Sequence, residues 1–170
     1  MERLKQVIDR VLASLVIVIM AVLVLDVLWQ VFTRFVLRDP SSYTEELARF
    51  LLIWLGLLGG SYAAGQHLHL AVDLLPGRLQ GRQRQILELI IEACTLAFAL
   101  LLIVGGARLV WLMLYLGQIS AALQVPLGYV YVVLPLSGAF IGFYAIYYIW
   151  KGVRALRTAG APVDPQKPAD

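Results

Sequence analysis

The sequence predicts an all-α integral membrane protein with four transmembrane helices and with the N-terminus and C-terminus in the cytoplasm. The composition, the length of the apolar runs and the distribution of Lys and Arg lead to this prediction. Of the 170 residues, 61% are hydrophobic and 15% are charged, whereas soluble domains are about half apolar and about a quarter charged. One soluble core of this length could not bury so much apolar surface, so we expect lipid to cover it.

Four apolar runs are long enough to cross a bilayer, which takes about 20 mostly apolar residues per helix. We predict spans at residues 11–32, 47–64, 86–116 and 126–150 within one transmembrane domain, residues 1–158. Basic residues precede the first run, as in a signal peptide, but no small-residue cleavage site follows, so we expect this run to be retained. The polar, Pro-rich segment 159–170 is predicted to be a disordered cytoplasmic tail.

Lys and Arg outside the spans predict the orientation, because cytoplasmic loops carry an excess of them. Ten fall on one side, namely before the first span, in the middle loop and after the last span. Two, Arg34 and Arg38, fall on the other side. Both termini are therefore predicted to be cytoplasmic, which requires an even number of spans. Aromatic residues near the span ends, among them Tyr147 and Tyr148, are expected at the lipid headgroups.

Composition also excludes several functions. The net charge of +3 comes from basic clusters between apolar runs, without the Lys/Arg stripe and interleaved aromatics of a nucleic-acid-binding surface. We therefore expect no nucleic-acid partner. Cys94 is the only cysteine, so neither an intrachain disulfide nor a multi-cysteine metal site is possible.

Two histidines raise the alternative of a membrane anchor for a redox enzyme, since such anchors hold haem between histidines of two facing helices. His67 and His69 lie two residues apart in one segment at a membrane boundary, and no predicted span contains a histidine. The sequence therefore predicts no cofactor and no metal in this chain.

Three carboxylates fall within or beside the spans. Asp26 could relay protons or cations, but the sequence offers it no intramembrane partner, which favours a polar anchor that bonds a neighbouring helix or reaches outward. Glu88 and Glu92 share one helix face and are interpreted as an interfacial charge cluster, because further metal ligands are missing. Spans so poor in polar groups favour a subunit over a complete carrier. A small homo-oligomeric transporter remains the alternative.

The segment 42–54 carries the densest pattern of polar side chains. Ser42 followed three residues later by Glu45 predicts a capping box that starts a helix. Glu45 and Arg49 form an i, i+4 pair in the favourable order.

Prolines and glycines predict the shape of the later helices. Pro126 suits a first helical turn, and Pro135 should kink the last span. Glycines that would let helices approach closely occur at positions 56, 59, 60, 138 and 142.

Six motifs follow one another along the chain: residues 30–36 (QVFTRFV), 44–54 (TEELARFLLIW), 59–64 (GGSYAA), 69–73 (HLAVD), 117–126 (GQISAALQVP) and 131–135 (YVVLP). In this order they resemble the small membrane subunit, DctQ-like, of tripartite ATP-independent periplasmic (TRAP) transporters. The similarity covers roughly residues 25 to 140. Tyr43 departs from the pattern, in which a Trp would precede the Thr-Glu-Glu run.

The resemblance implies a non-catalytic subunit rather than an enzyme, in the inner membrane of a bacterium or archaeon. In this family the small subunit packs against a large permease subunit, which carries substrate and sodium. A periplasmic substrate-binding protein delivers the solute, often an organic acid. The chain would then be a membrane scaffold that contacts lipid and the large subunit, with sodium bound by the large subunit.

Carried over residue by residue, the resemblance implies three groups of partner-interface residues. They are Arg34, Glu45, Glu46, Arg49 and Trp54 at the outer end, His69 and Asp73 at the inner boundary, and Ser120, Pro126 and Pro135 in the last loop and helix.

Overall fold

The computed structural model describes residues 2–38, 41–66 and 82–159. The helices are α1 (Glu2–Phe32), which continues into a π-helical turn (Thr33–Leu37), α2 (Ser42–Gly65), α3 (Arg82–Tyr115), α4 (Leu127–Tyr131) and α5 (Val133–Ala159).

Within the described residues, four stretches are long and apolar enough to cross a membrane, which confirms the predicted all-α, four-span architecture. They are Lys5–Leu37, Ser42–Gly65, Ile86–Tyr115 and Leu127–Arg154, the last of which combines α4 and α5. The cytoplasmic placement of the termini stays a prediction. His67, His69, Asp73 and the tail from residue 160 onward lie outside the described residues.

The spanning helices pack side by side in the order α1, α2, α5, α3. In their most apolar windows, 44% of the fourth span is buried, against 11% of the first and 6% of the third. The fourth span is therefore central, and α1 and α3 form the edges of a layer one helix thick. Edge side chains such as Ile17 and Leu101 are 67% and 72% exposed, which suits contact with lipid.

α1 meets the layer along a line of residues spaced by seven. Leu12, Asp26 and Thr33 are buried, and Ile19 packs against the buried cluster that contains Leu12. A repeat of seven is typical of helices that cross at a small, left-handed angle. The line ends in the π-helical turn, where the Thr33 hydroxyl donates to the Gln30 carbonyl at 3.0 Å.

α3 and α5 approach closely at glycine, as the Gly138-x-x-x-Gly142 motif predicts. A Cβ added at Gly138 would lie 2.9 Å from the Ala99 carbonyl oxygen, and one added at Gly142 would lie 3.6 Å from the Ala99 Cβ. Small residues hold membrane helices together in this way because backbones can then touch.

The glycines of α2 do not serve this purpose within the described part of the chain. No atom lies within 4 Å of a Cβ added at Gly56, Gly59 or Gly60. The expected close approach is therefore not made to α1 or α5, because this side of α2 faces away from both.

The start of α2 corrects the predicted capping box. Ser41 rather than Ser42 is the cap residue, and its side chain makes no cap hydrogen bond. Thr44 then occupies the third helical position, where a capping box needs Glu or Gln, and its hydroxyl donates to the Ser41 carbonyl at 2.9 Å. Glu45 instead pairs with Arg49 at 3.2 Å, which confirms the i, i+4 pair.

The fourth span is interrupted just ahead of Pro135. α4 ends at Tyr131 and α5 begins at Val133. Because Pro135 has no N–H, the Tyr131 carbonyl four residues earlier loses its helical donor. Pro126 lies one position before the predicted one, as the cap residue of α4 with φ −59°.

Candidate functional site

The loop 116–126, which joins α3 to α4, lies against the first turns of α2 and is held there by Glu46. The Glu46 carboxylate accepts backbone N–H groups from Ala121 at 3.3 Å, Ala122 at 2.8 Å and Leu123 at 2.9 Å. Hydrogen bonds to an ionised carboxylate are stronger than neutral ones. The preceding Ser120 is buried, and its side chain lies beside the Glu46 carboxylate.

The loop begins with a glycine that ends α3. Gly117 has φ +60°, and its N–H donates to the Leu114 carbonyl at 3.1 Å. The Gln118 N–H donates to the Met113 carbonyl at 3.1 Å. This pair of bonds around a left-handed residue is a Schellman motif, which satisfies carbonyls at the helix end.

The two sides of the loop are then joined to each other. The Ser120 N–H donates to the Val125 carbonyl at 2.9 Å, and the Leu127 N–H donates to the Gln118 carbonyl at 3.0 Å. Gln124, the residue before Val125, has φ +55°, which is uncommon for a residue other than glycine. The loop is thus ordered by its own hydrogen bonds as well as by its bonds to Glu46.

Trp54 bonds α2 to the fourth span. Its indole Nε1–H donates to the Val130 carbonyl at 3.0 Å. Val130 belongs to the short α4, whose helical hydrogen bonds end at the interruption before Pro135. Trp54 was predicted to contact a partner, but its polar atom is used inside this chain.

Two further contacts lie deeper along α2. The buried Ser61 hydroxyl lies 2.8 Å from the Leu57 carbonyl of its own helix and 3.3 Å from the Ser137 carbonyl of α5. The Gly65 carbonyl accepts the Tyr148 hydroxyl at 2.6 Å. Glu46, Trp54, Ser61 and Gly65 follow at steps of eight, seven and four, so they lie on one face of α2. We call this set the α2 polar seam.

At the far end of the seam, α5 also meets the start of α1. The Tyr144 hydroxyl donates to Asp9 Oδ1, and Lys5 Nζ lies 4.0 Å from Asp9 Oδ2. The Lys5 ammonium also lies 5.3 Å from the centroid of the Tyr148 ring, within cation–π range. Tyr147 is only 8% exposed, so its side chain packs inside the chain, and its place at the level of the headgroups stays a prediction.

Asp26 is the carboxylate that was predicted to anchor α1 to a neighbouring helix. It is buried on the α1 line, and its Oδ2 has no hydrogen-bond partner in the described parts of the chain. Among the described residues, this oxygen therefore does not make the bond to a neighbouring helix that the sequence favours.

Some of the remaining predicted interface residues are exposed at the surface, and one packs against another helix of this chain. Glu45 and Arg49 pair with each other on the outer surface of α2, each with a side chain 67% exposed, and Arg34 is exposed on the π-helical turn. Pro135 instead lies against α3, where a Cβ added at Gly106 would lie 2.8 Å from its Cδ. A role for any of them in binding a partner stays a prediction.

Sequence reasoning missed the pairs Asp9–Tyr144, Ser61–Ser137 and Tyr148–Gly65. The predicted topology places both members of each tyrosine pair at the same end of the spans, which is a weak signal. It does not say which helices are neighbours, and so it could not pair them.

These features define a multi-pass membrane subunit whose polar groups mostly hold its own helices together. Residues 23–155 match the family model described as "Tripartite ATP-independent periplasmic transporters, DctQ component". The match covers well over half of the chain, so the chain belongs to the DctQ family of TRAP transporter components. This confirms the resemblance, and it argues against the alternative of a membrane anchor for a redox enzyme. The family is a non-enzymatic transporter component of the inner membrane.

Three relatives illustrate the family. The chain is 30% identical over 105 residues to the C4-dicarboxylate TRAP transporter small permease protein DctQ of Vibrio cholerae, which covers 62% of this chain and 45% of the relative. It is 30% identical over 106 residues to the sialic acid TRAP transporter small permease protein SiaQ of the same species, and this match covers 62% of this chain and 61% of the relative. It is 31% identical over 121 residues to the isethionate TRAP transporter permease protein DctMQ of Oleidesulfovibrio alaskensis, and this match covers 71% of this chain and 19% of the relative. The matches thus span less than two thirds of each relative's length.

Proposed function

We propose that this chain is the non-catalytic small permease subunit of a sodium-coupled TRAP transporter that imports a small organic acid. In this proposal it is a membrane scaffold for a large permease subunit, which binds the sodium and the solute. A periplasmic substrate-binding protein delivers the solute to the complex.

The observation that carries the scaffold role is the α2 polar seam. Lipid tails are as apolar as the side chains they meet, so membrane helices are held together by close packing and by polar bonds. Here α2 is bonded to the loop, α4 and α5 at four levels, and α5 packs on α3 through Gly138. Such an array favours a rigid support over an element that moves with each transport cycle.

A partner is supported by the length of one relative and by an open face of α2. In DctMQ the matched part is 19% of a longer permease chain, so the counterpart of this chain there belongs to a larger permease. The exposed face of α2 carries Glu45, Arg49, Leu52, Gly56 and Gly60. We infer that a helix of the large subunit packs on this α2 outer face.

The solute class is supported by the names of the relatives. C4-dicarboxylates, sialic acid and isethionate are all small organic acids that carry a negative charge at neutral pH. The described spans of this chain offer no cluster of cations to bind such an anion, which supports placing the solute site in the large subunit.

Reconstitution tests the proposed function. The large permease of the same organism is placed in proteoliposomes with or without this chain. Uptake of a C4-dicarboxylate, sialic acid and isethionate is measured with a sodium gradient and the matching substrate-binding protein. We expect uptake only with both subunits and only with inward-directed sodium. Full uptake by the large subunit alone, or by this chain alone, would contradict the proposal.

Two open glycines test the α2 outer face. Gly56→Leu fills a site with no atom within 4 Å on α2, and Gly105→Leu does the same on α3. We expect Gly56→Leu to reduce recovery of the complex with the large subunit in detergent by at least about tenfold, a loss of about 1.4 kcal/mol. Gly105→Leu is the control and should leave recovery unchanged. Equal recovery for both variants would place the interface elsewhere.

A further inference from the structure

Two adjacent carboxylates at the start of α2 have different surroundings. Glu45 is exposed and pairs with Arg49, whereas Glu46 accepts three backbone N–H groups of the loop 116–126. We propose that Glu46 is a positioning residue, which fixes this loop to α2 so that the two act as one rigid body during transport. This inference rests on the proposed function and assigns one residue a role within it.

The turn from Ala121 to Leu123 depends on the carboxylate for its hydrogen bonds. Its three consecutive N–H groups point to one place, and the Glu46 oxygens fill that place at 2.8 to 3.3 Å. A backbone donor that is left without a partner away from water destabilises the fold by about 1–3 kcal/mol. Without Glu46, these donors would have to bond water instead, since the Ala121 bond is already exposed, and the turn would lose these three bonds to α2.

The backbone at Gln124 shows that the loop is held in one defined conformation. A non-glycine residue at φ +55° persists when its surroundings fix it. The strained residue directly follows Leu123, whose N–H bonds to Glu46 at 2.9 Å. Gln124 thus lies between a residue bonded to Glu46 and Val125, whose carbonyl accepts the Ser120 N–H within the loop.

The body to which the loop is attached is itself well fixed. Trp54 bonds α2 to α4 through the Val130 carbonyl. A Cβ added at Gly128 of α4 would lie 2.5 Å from Leu114 of α3, so these helices are in close contact. Glu46 joins the loop to this assembly through α2.

The consequence for transport follows from the exposed residues of the loop. Ile119 and Val125 are 55% and 38% exposed, and they lie on the two joined sides of the loop. Fixed by Glu46, they keep a set position relative to the α2 outer face on which the large subunit is proposed to pack. A loop that is already ordered loses less conformational entropy when the complex assembles. The positioning role therefore predicts slower uptake when the bond is lost, even in complexes that still assemble.

Hydrogen exchange tests the structural half of the inference. Glu46→Gln keeps the size of the side chain but replaces one acceptor oxygen by an NH₂ group, which cannot accept. We expect exchange of the Ala121 amide, which then has no acceptor, to rise at least about tenfold, and exchange of the Ala122 and Leu123 amides, whose shared acceptor becomes a neutral oxygen, to rise by less. Glu45→Gln is the matched control and should leave these three rates unchanged, since Glu45 bonds Arg49. Unchanged exchange in Glu46→Gln would overturn the inference.

Covalent rescue tests the functional half. In a cysteine-free complex, in which Cys94→Ala removes the native thiol, Glu46→Cys and Ala122→Cys are combined and joined by a short bifunctional thiol reagent. We expect the unbridged variant to lose at least about tenfold in initial uptake rate per assembled complex, the size of a 1.4 kcal/mol effect. The bridge should restore most of this rate, and Glu46→Cys alone with the same reagent should not recover.

The outcomes separate this inference from the proposed function. If the wild-type chain adds no uptake to the large subunit, the proposed function fails. If the wild-type chain supports uptake and Glu46→Gln transports equally well, only the positioning role is wrong. If the bridge closes without restoring uptake, the carboxylate itself is needed, for example to contact a partner, and positioning is again wrong.

Discussion

At the residue scale, Gly65 shows why one position in α2 must lack a side chain. A Cβ added there would lie 2.5 Å from the Tyr144 Cζ and 2.8 Å from both ring Cε atoms. The ring cannot move away easily, because its hydroxyl bonds Asp9 and the residue is only 1% exposed. The Gly65 carbonyl is also fixed by Tyr148.

We therefore predict that Gly65→Ala destabilises the isolated subunit by roughly 2 kcal/mol, as other overpacked cores are destabilised. Gly56→Ala is the matched control, since nothing lies within 4 Å of its added Cβ, and it should be neutral or slightly stabilising because Ala favours helix. Unfolding of both variants in mixed detergent micelles measures the difference. Equal stabilities would mean that Tyr144 does not occupy this place.

At the element scale, the contacts along α2 act at separate levels. Trp54 and Ser61 are seven residues apart, which is about 10 Å along a helix. Trp54 bonds α4, and Ser61 bonds α5. Sites this far apart without a shared partner usually have additive effects on stability.

Trp54→Phe and Ser61→Ala should each lower the free energy of unfolding of the subunit by about 0.6 kcal/mol for the lost interhelical bond. The tryptophan change adds a small packing term. The double variant should equal the sum of the single ones within about 0.5 kcal/mol. A double-mutant cycle in mixed micelles measures this. A coupling well above that limit would mean that α4 and α5 respond to α2 as a single unit.

The sequence predicted the features of these elements that depend on near neighbours. Apolar run lengths placed the four spans, the i, i+4 rule paired Glu45 with Arg49, and the missing N–H of Pro135 placed the break in the last span. The capping box at Ser42 failed because a shift of one residue in the helix start puts Thr44 in the position that Glu must occupy.

The candidate site could be predicted only in part, because its contacts join distant parts of the chain. Glu46 meets a loop more than 70 residues away, and the sequence does not distinguish its environment from that of Glu45. Topology places Glu46 and the loop 116–126 at the same end of the spans. Which carboxylate faces the loop depends on the rotation of α2 between α1 and α5, which hydropathy does not determine.

At the scale of the whole molecule, the order α1, α2, α5, α3 makes α1 and α3 opposite edges of the layer. The contact between α3 and α5 is short enough to test directly. The Ala99 Cβ lies 3.6 Å from a Cβ added at Gly142, within the range of about 3.5–4.5 Å that disulfides require.

In a Cys94→Ala background, Ala99→Cys combined with Gly142→Cys should therefore form an intrachain disulfide when membranes are oxidised. Ala99→Cys combined with Ile17→Cys of α1 should not, because Ile17 lies on the opposite edge. Non-reducing gel mobility distinguishes the intrachain product from a dimer. An intrachain bond between positions 17 and 99 would show that the helices close into a bundle.

The arrangement in a single layer has a geometric consequence. A solute that crosses a membrane inside a protein needs walls on every side, and a layer about 10 Å thick supplies a wall on one side only. Many apolar side chains of α1 and α3 are exposed, whereas those of a closed bundle mostly face one another. Among the described residues, a path for a solute would therefore run along one side of this layer, and the α2 outer face is a side that is free of bulky side chains around Gly56 and Gly60.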